Sequence, residues 1–368
     1  MSKFAFLFRD GLGRLEDKSN NFTAMRIVFA LMVLYGHAIL IPLGKPYTGT
    51  WSLTVDFVVQ CALDGFFILS GYMITASAMK TKEISRYATA RIFRIFPGLI
   101  AAVLIVFAVY PFFTSLSQAE YWSSAETWAF PLKLIGQVDP LAGLPGTFEN
   151  SPVGHSANGP LWTIRYELMA YLGVGILALI GLYSDRRLVV FWAALTCVFG
   201  ALVATFGYSG IGEGTITTLA RFGPAFMIGA FFFAAREMVR ITPAFIALAG
   251  VAALAAHELA IGWMMLDIFL ASAFLWLGHA HIGGRIGHAV RNVEDVSYGI
   301  YILHWPIGLV AFALMPGLNT TQLALIMAPA AILAGWVLRE TVEKPALAWK
   351  DRLQPRREVR AAAVRDVA

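Results

Sequence analysis

An arginine and a histidine, Arg26 and His37, lie in one apolar stretch, FTAMRIVFALMVLYGHAIL. At about 100° and 1.5 Å per residue, a helix would set them on one face, within roughly 20° and about 16 Å apart along the axis. An imidazole can take a proton from a hydroxyl and return it near neutral pH. Such groups are costly in lipid, so a shared face points to a protein interior that uses both. Read singly, His37 could be an interhelical hydrogen-bonding residue and Arg26 a side chain snorkelling to the headgroups. Further along, RYATARIFRIFPGL sets Arg91 and Arg94 at i and i+3. Two guanidiniums on one helix face could hold phosphates of a cytosolic ligand, and plain basic anchoring is the alternative.

Other polar groups fall in apolar runs. Asp64 in CALDGFFILSGYMITAS could orient the His37 imidazole, fix an arginine, or pack as a neutral acid. The run opening NGPLWTIRYELMAYLG carries Arg165 and Glu167. Two residues apart, they face different sides of a helix, and Glu167 could position an acceptor hydroxyl or pair with another span. His304 lies in VSYGIYILHWPIGL with Tyr298, Tyr301 and Trp305, which could wall an interior cavity. His155 precedes the fourth apolar run, and His257, His279, His281 and His288 are too loosely spaced to suggest a metal site. The chain has no phosphate-cradling glycine loop, HExxH or GxSxG motif.

The elements that must position these groups are membrane helices. Of 368 residues, 58% are hydrophobic and 14% charged, against about a quarter charged in soluble domains. Mean hydropathy is +0.67. Runs near bilayer-spanning length occur at 22–43, 53–77, 95–113, 160–181, 188–206, 217–234, 242–256, 259–277, 296–315 and 321–339. The expected fold is an all-α polytopic bundle of about ten transmembrane helices. With the N-terminus inside, 23 of the 28 Lys and Arg fall in inner segments, and only Lys45 and Lys133 fall in outer ones. That bias predicts both termini on the cytoplasmic side. The net charge of +5 therefore reports orientation and gives no reason to expect nucleic acid. Cys61 and Cys197 both lie in apolar runs and suggest no disulfide framework. The expected organisation is a cytoplasmic segment (1–21), a transmembrane domain (22–349) and a disordered cytoplasmic tail (350–368). The domain includes one long outer connection, 114–159, with no obvious helix.

Six segments, in order, resemble the acyltransferase-3 family of membrane acyltransferases. They are NFTAMRIVFALMVLYGHA, LDGFFILSGYMIT, RIFRIFPGL, GPLWTIRYELMAYL, SYGIYILHWPI and TVEKPALAW. The resemblance implies an O-acyltransferase of the bacterial inner membrane. Its donor would be a cytosolic acyl-CoA, by family prevalence acetyl-CoA, with no metal. Its acceptor would be a hydroxyl of an exopolysaccharide, a lipid-linked oligosaccharide or another surface glycan.

Carried over, His37 takes the catalytic position with Arg26 as its partner, while Arg91 and Arg94, with Arg26, face the donor. Asp64 joins the catalytic candidates. Glu167, a catalytic candidate too, is also a candidate acceptor contact with Trp162, Arg165 and His304. The family's frequent Glu-Glu pair is here Glu167-Leu168, and Lys344 stands where Arg is usual. Many relatives carry a fused extracytoplasmic hydrolase-like domain; this chain is expected to act without one. Intramembrane Arg, Asp, Glu and His also suit a transporter or flippase, but no inverted repeat or paired broken helices accompany them.

Overall fold

A computed structural model of the chain describes residues 20–44, 50–80 and 83–353. The expected N-terminal segment and tail lie mostly outside these residues. The described chain is helical: α1 (Phe22–Leu43), α2 (Thr50–Lys80), α3 (Ile84–Val109), α4 (Gln118–Ser123), α5 (Ala125–Ile135), α6 (Trp162–Leu179) and α7 (Arg186–Phe206). There follow α8 (Glu213–Ala234), α9 (Pro243–Ala255), α10 (Gly262–His279), α11 (Gly284–Asn292), α12 (Ser297–Leu314), α13 (Thr320–Leu338) and α14 (Lys344–Leu353). A π-helical turn, Arg339–Glu343, joins the last two. The strand-like content among the described residues is a single antiparallel bridge, Thr114 to Thr147.

Among the described residues, eight helices are long and apolar enough to cross a membrane. The other two expected spans are helical but fall short for different reasons. In α6, Arg165 and Glu167 dilute the apolar character of 18 residues. In α9 there are only 13 residues, roughly 20 Å of helix against a hydrocarbon core of about 30 Å. The chain is thus an all-α, multi-pass membrane protein.

The bundle centres on α12. Every residue from Ile300 to Pro306 is buried. Against α12 pack α1 and α13, and α1 continues the core to α2, which lies along α8. Lipid tails are as apolar as leucine, so close backbone approach does much of the work of holding such helices together. At the α2–α8 crossing, a Cβ on Gly71 would stand 1.8 Å from the Phe226 carbonyl oxygen, and one on Gly229 would stand 2.0 Å from that of Ile68.

The 114–159 connection differs from the helix-free loop expected. Ser117 and Glu120 form a reciprocal capping box that starts α4, and the Ser124 hydroxyl accepts from the Glu126 amide to start α5. The connection is tied down over α12: Asn158 Nδ2 donates to the Ile302 carbonyl at 2.8 Å, and Trp305 Nε1 donates to that of Ser156 at 3.2 Å. From α3's far end, the Tyr110 hydroxyl donates to the Ala157 carbonyl at 2.7 Å.

Gly71→Ala should force α2 and α8 apart, at a cost of about 1–3 kcal/mol. Gly173→Ala, where a Cβ meets nothing within 4 Å, should be silent. Thermal unfolding of the two variants in lipid nanodiscs compares them; equal melting temperatures would contradict this packing.

Candidate active site

Arg26 stands in the second turn of α1, and His37 is three turns further along the same helix. Each meets a partner from the chain's last third. Arg26 Nη1 donates to Asp295 Oδ2 at 3.0 Å, and Arg94 Nη2 donates to the same oxygen at 2.8 Å. Asp295 lies just before α12, where the Ser297 hydroxyl and amide donate to its other oxygen. One carboxylate thus joins α1 and α3 to the start of α12. Glu343, buried in the π-helical turn, adds a second acid 3.7 Å from Arg94 Nη1. Burial alone would raise the Asp295 pKa. The guanidiniums of Arg26 and Arg94, with the Ser297 hydrogen bonds, outweigh it and hold the carboxyl well below the usual carboxylate range.

At the other end of α1, His37 Nδ1 lies 2.7 Å from His304 Nε2. The ring planes differ by 11° and the centroids are 5.0 Å apart. With the nitrogens that close, the rings meet edge to edge in nearly one plane, as an N–H···N bond requires. Trp305 packs edge-on against His37 at 4.9 Å. His304 is fully buried, whereas His37 keeps part of its surface open.

A cavity of about 290 Å³ opens beside these two centres. Its lining includes the cations Arg26, Arg91, Arg94 and Lys350 as well as Phe66, Thr163 and Tyr301. His37 is not among the lining residues. The lining rings of Phe66 and Tyr301 stand with centroids 5.6 Å apart, and Tyr301 adjoins His304 at 6.0 Å. Glu167 also lines the wall. Its Oε1 accepts from the Ser70 hydroxyl at 3.3 Å and from the Tyr171 hydroxyl, which itself lies 2.9 Å from Ser70 Oγ.

The candidate residues therefore divide. Arg91 and Arg94 share a helix face but not an environment. Arg94 is held by Asp295 and Glu343. Arg91 has no acidic partner among the described residues, its buried Nε is without a hydrogen-bond acceptor, and the guanidinium lies 5.8 Å from the Tyr87 and Tyr171 ring centres. An unpaired guanidinium lining a cavity fits an anionic ligand.

Asp64 does not orient His37. Its Oδ2 accepts from Arg221 Nη2 at 2.7 Å, and Asp267 approaches the same guanidinium at 3.7 Å. Fully buried, Asp64 needs a cation, and Arg221 on α8 supplies it. Arg165 reaches away from the cavity and clamps the connection's backbone, donating to the carbonyls of Gln137 at 2.8 Å and Val138 at 2.7 Å. Trp162 packs against Tyr166 and Phe222. His155 is exposed on the connection.

Sequence reading missed Asp295 and gave Glu343 no role. The first had a local signal: an acid next to the N-terminus of a helix, where the dipole favours negative charge. Its two arginine partners, 269 and 201 residues away, had none.

A family model described as "Acyltransferase domain" matches residues 19–340. The chain belongs to the acyltransferase-3 family. Among curated proteins, it is 25% identical over 312 residues to an "O-acetyl transferase" of Shigella phage Sf6, covering 79% of this chain and 85% of the relative. It is also 25% identical over 176 residues to "Nodulation protein 10" of Rhizobium leguminosarum bv. viciae, covering 43% and 44%. No solved structure matches. Membership decides between the enzyme and the carrier that the sequence left open: the protein is a membrane acyltransferase.

Asp295→Asn should lower stability at neutral pH by about 1–3 kcal/mol, because it leaves two partly buried guanidiniums without their shared anion. The wild-type advantage belongs to the ionised carboxylate. It is complete above the unfolded-state pKa near ~4 and fades as pH falls towards the depressed folded value. Melting curves of both proteins between neutral and acidic pH should converge on the acid side; a gap independent of pH would contradict this assignment.

Proposed function

We propose that this acyltransferase moves an acyl group from acyl-CoA to a carbohydrate hydroxyl, with His37 as general base. The observation that carries the reading is one cavity lined both by an unpaired cation, Arg91, and by Tyr301, whose ring adjoins the histidine pair. In that reading, Arg91 meets the donor's phosphates, and the thin pantetheine arm follows the wall of Leu63, Phe67 and Ile95. His37 is not among the cavity-lining residues, so in this reading the Phe66 and Tyr301 rings shift for the thioester carbonyl to approach it. Such a shift would keep water from the thioester until an acceptor is in place.

The hydroxyl oxygen then attacks the thioester carbon while His37 takes the hydroxyl proton. Collapse of the tetrahedral intermediate breaks the C–S bond, and the same proton passes to the departing sulfur. The products are an O-acyl ester and free CoA thiol. Arg26, paired with Asp295 along the donor path, keeps the cation-lined wall in place, and Glu167 is available to hydrogen-bond donor or acceptor. The name of the phage relative supports acetyl as the acyl group. The acceptor in this reading is an exopolysaccharide, a lipid-linked oligosaccharide or another surface glycan, reached from the far side of the bacterial inner membrane.

The test is transfer of label from radioactive acetyl-CoA to the envelope glycan of cells carrying the protein. His37→Ala should abolish transfer while the protein still inserts and folds; retained turnover would defeat the base assignment. Arg91→Ala should weaken CoA binding about 10–100-fold in calorimetry, the worth of a charge-assisted phosphate contact. Unchanged donor affinity would return Arg91 to an anchoring role.

A further inference from the structure

The histidine pair contains more than a base. His304 Nδ1 lies 3.0 Å from the carbonyl oxygen of Ile300, one turn back on α12. A carbonyl can only accept, so His304 Nδ1 carries the proton in that bond. Neither ring bonds to a carboxylate among the described residues, and a buried unpaired imidazolium is costly, so both rings rest neutral. A neutral ring protonated on Nδ1 has a bare Nε2. The proton in the 2.7 Å contact therefore belongs to His37 Nδ1. That leaves the lone pair of His37 on Nε2, the nitrogen opposite its partner.

We infer that His304, itself set by the Ile300 carbonyl, is a positioning residue that fixes the tautomer and plane of His37, so that Nε2 is the atom that takes the acceptor's proton. The inference rests on His37 being the base. It gives His304 a role other than the acceptor contact suggested by its place in SYGIYILHWPI. When Nε2 of His37 gains the hydroxyl proton, Nδ1–H still points at His304 Nε2. A neutral lone pair then supports the imidazolium, where many catalytic histidines use a carboxylate. The burden suits the place. His304 sits on the buried stretch of α12, and its neighbour Trp305 is anchored by the Ser156 carbonyl while packing on His37.

Two variants and one spectrum test this on the full chain in lipid nanodiscs. His304→Phe fills the site without an acceptor. His304→Gln can place an amide oxygen where Nε2 was. With acetyl-CoA and the envelope glycan as probes, His304→Phe should lower kcat by about 10²–10⁴-fold, the range of general acid–base catalysis. The KM for acetyl-CoA should move less than about twofold, because ground-state donor binding is untouched. His304→Gln should recover at least about tenfold of the lost kcat, through the restored acceptor.

Nitrogen-15 histidine NMR, with His37→Ala for assignment, should find the His37 proton on Nδ1 in the wild type and on Nε2 in His304→Phe. A folded His304→Phe with unchanged kcat overturns the inference. So does a wild-type spectrum with His37 protonated on Nε2, and that spectrum decides the matter even if His304→Phe does not fold. Loss of activity in His37→Ala alongside an unaffected His304→Phe removes only the present inference; retained activity in His37→Ala removes the base reading itself.

Discussion

A hydrocarbon interior offers no water, so each polar group placed there needs a partner from another helix. In this protein that requirement is met most consequentially by Asp295. Its carboxylate takes a guanidinium from α1 and another from α3, and its serine contacts belong to the start of α12. These helices carry His37, Arg91 and His304. The ion cluster at one end therefore sets the relative height and rotation of the elements that bear the proposed chemistry. The histidine contact at the other end tolerates little error: N–H···N bonding weakens steeply once the rings leave line.

The same logic separates groups that share a sequence signature. Arg91 and Arg94 belong to one motif, three residues apart, yet one is neutralised by two acids while the other stands open to a cavity between tyrosines. Asp64 and Glu167 are both carboxylates within apolar runs. The first is consumed by Arg221, stacked 4.2 Å over the Trp263 ring, and fastens α2 to α8. The second, among the described residues, accepts from the hydroxyls of Ser70 and Tyr171 and faces the cavity. Residue type gave the candidates; the nearest opposite charge sorted them.

The 114–159 connection belongs to the same construction. Its last residues hydrogen-bond to α12 around Trp305, and Arg165 grips the backbone that follows α5. A segment held this firmly fixes Trp305, which packs on His37. It also couples α6, which carries Glu167, to the cap above α12.

Much of this was readable from the amino acids alone. Long apolar runs can satisfy their backbone in lipid only as helices, so the helical positions of the spans followed from composition and length, with eight of the ten expected spans long and apolar enough among the described residues. The shared face of Arg26 and His37 followed from helical period. Six ordered motifs pointed to the family, and the match over residues 19–340 establishes it. The starts of α4 and α5 carry a local signal, Ser117-x-x-Glu120 and Ser124, that the reading of 114–159 as helix-free missed, because short helices are easily lost among loop residues.

What tertiary structure alone decided was pairing. Asp295 finds Arg26 and Arg94, Asp64 finds Arg221, and His37 finds His304 across separations of 157 to 269 residues. Local periodicity says which way a side chain leaves its own helix. It cannot say which other helix stands there, because that depends on how every helix in the bundle packs at once.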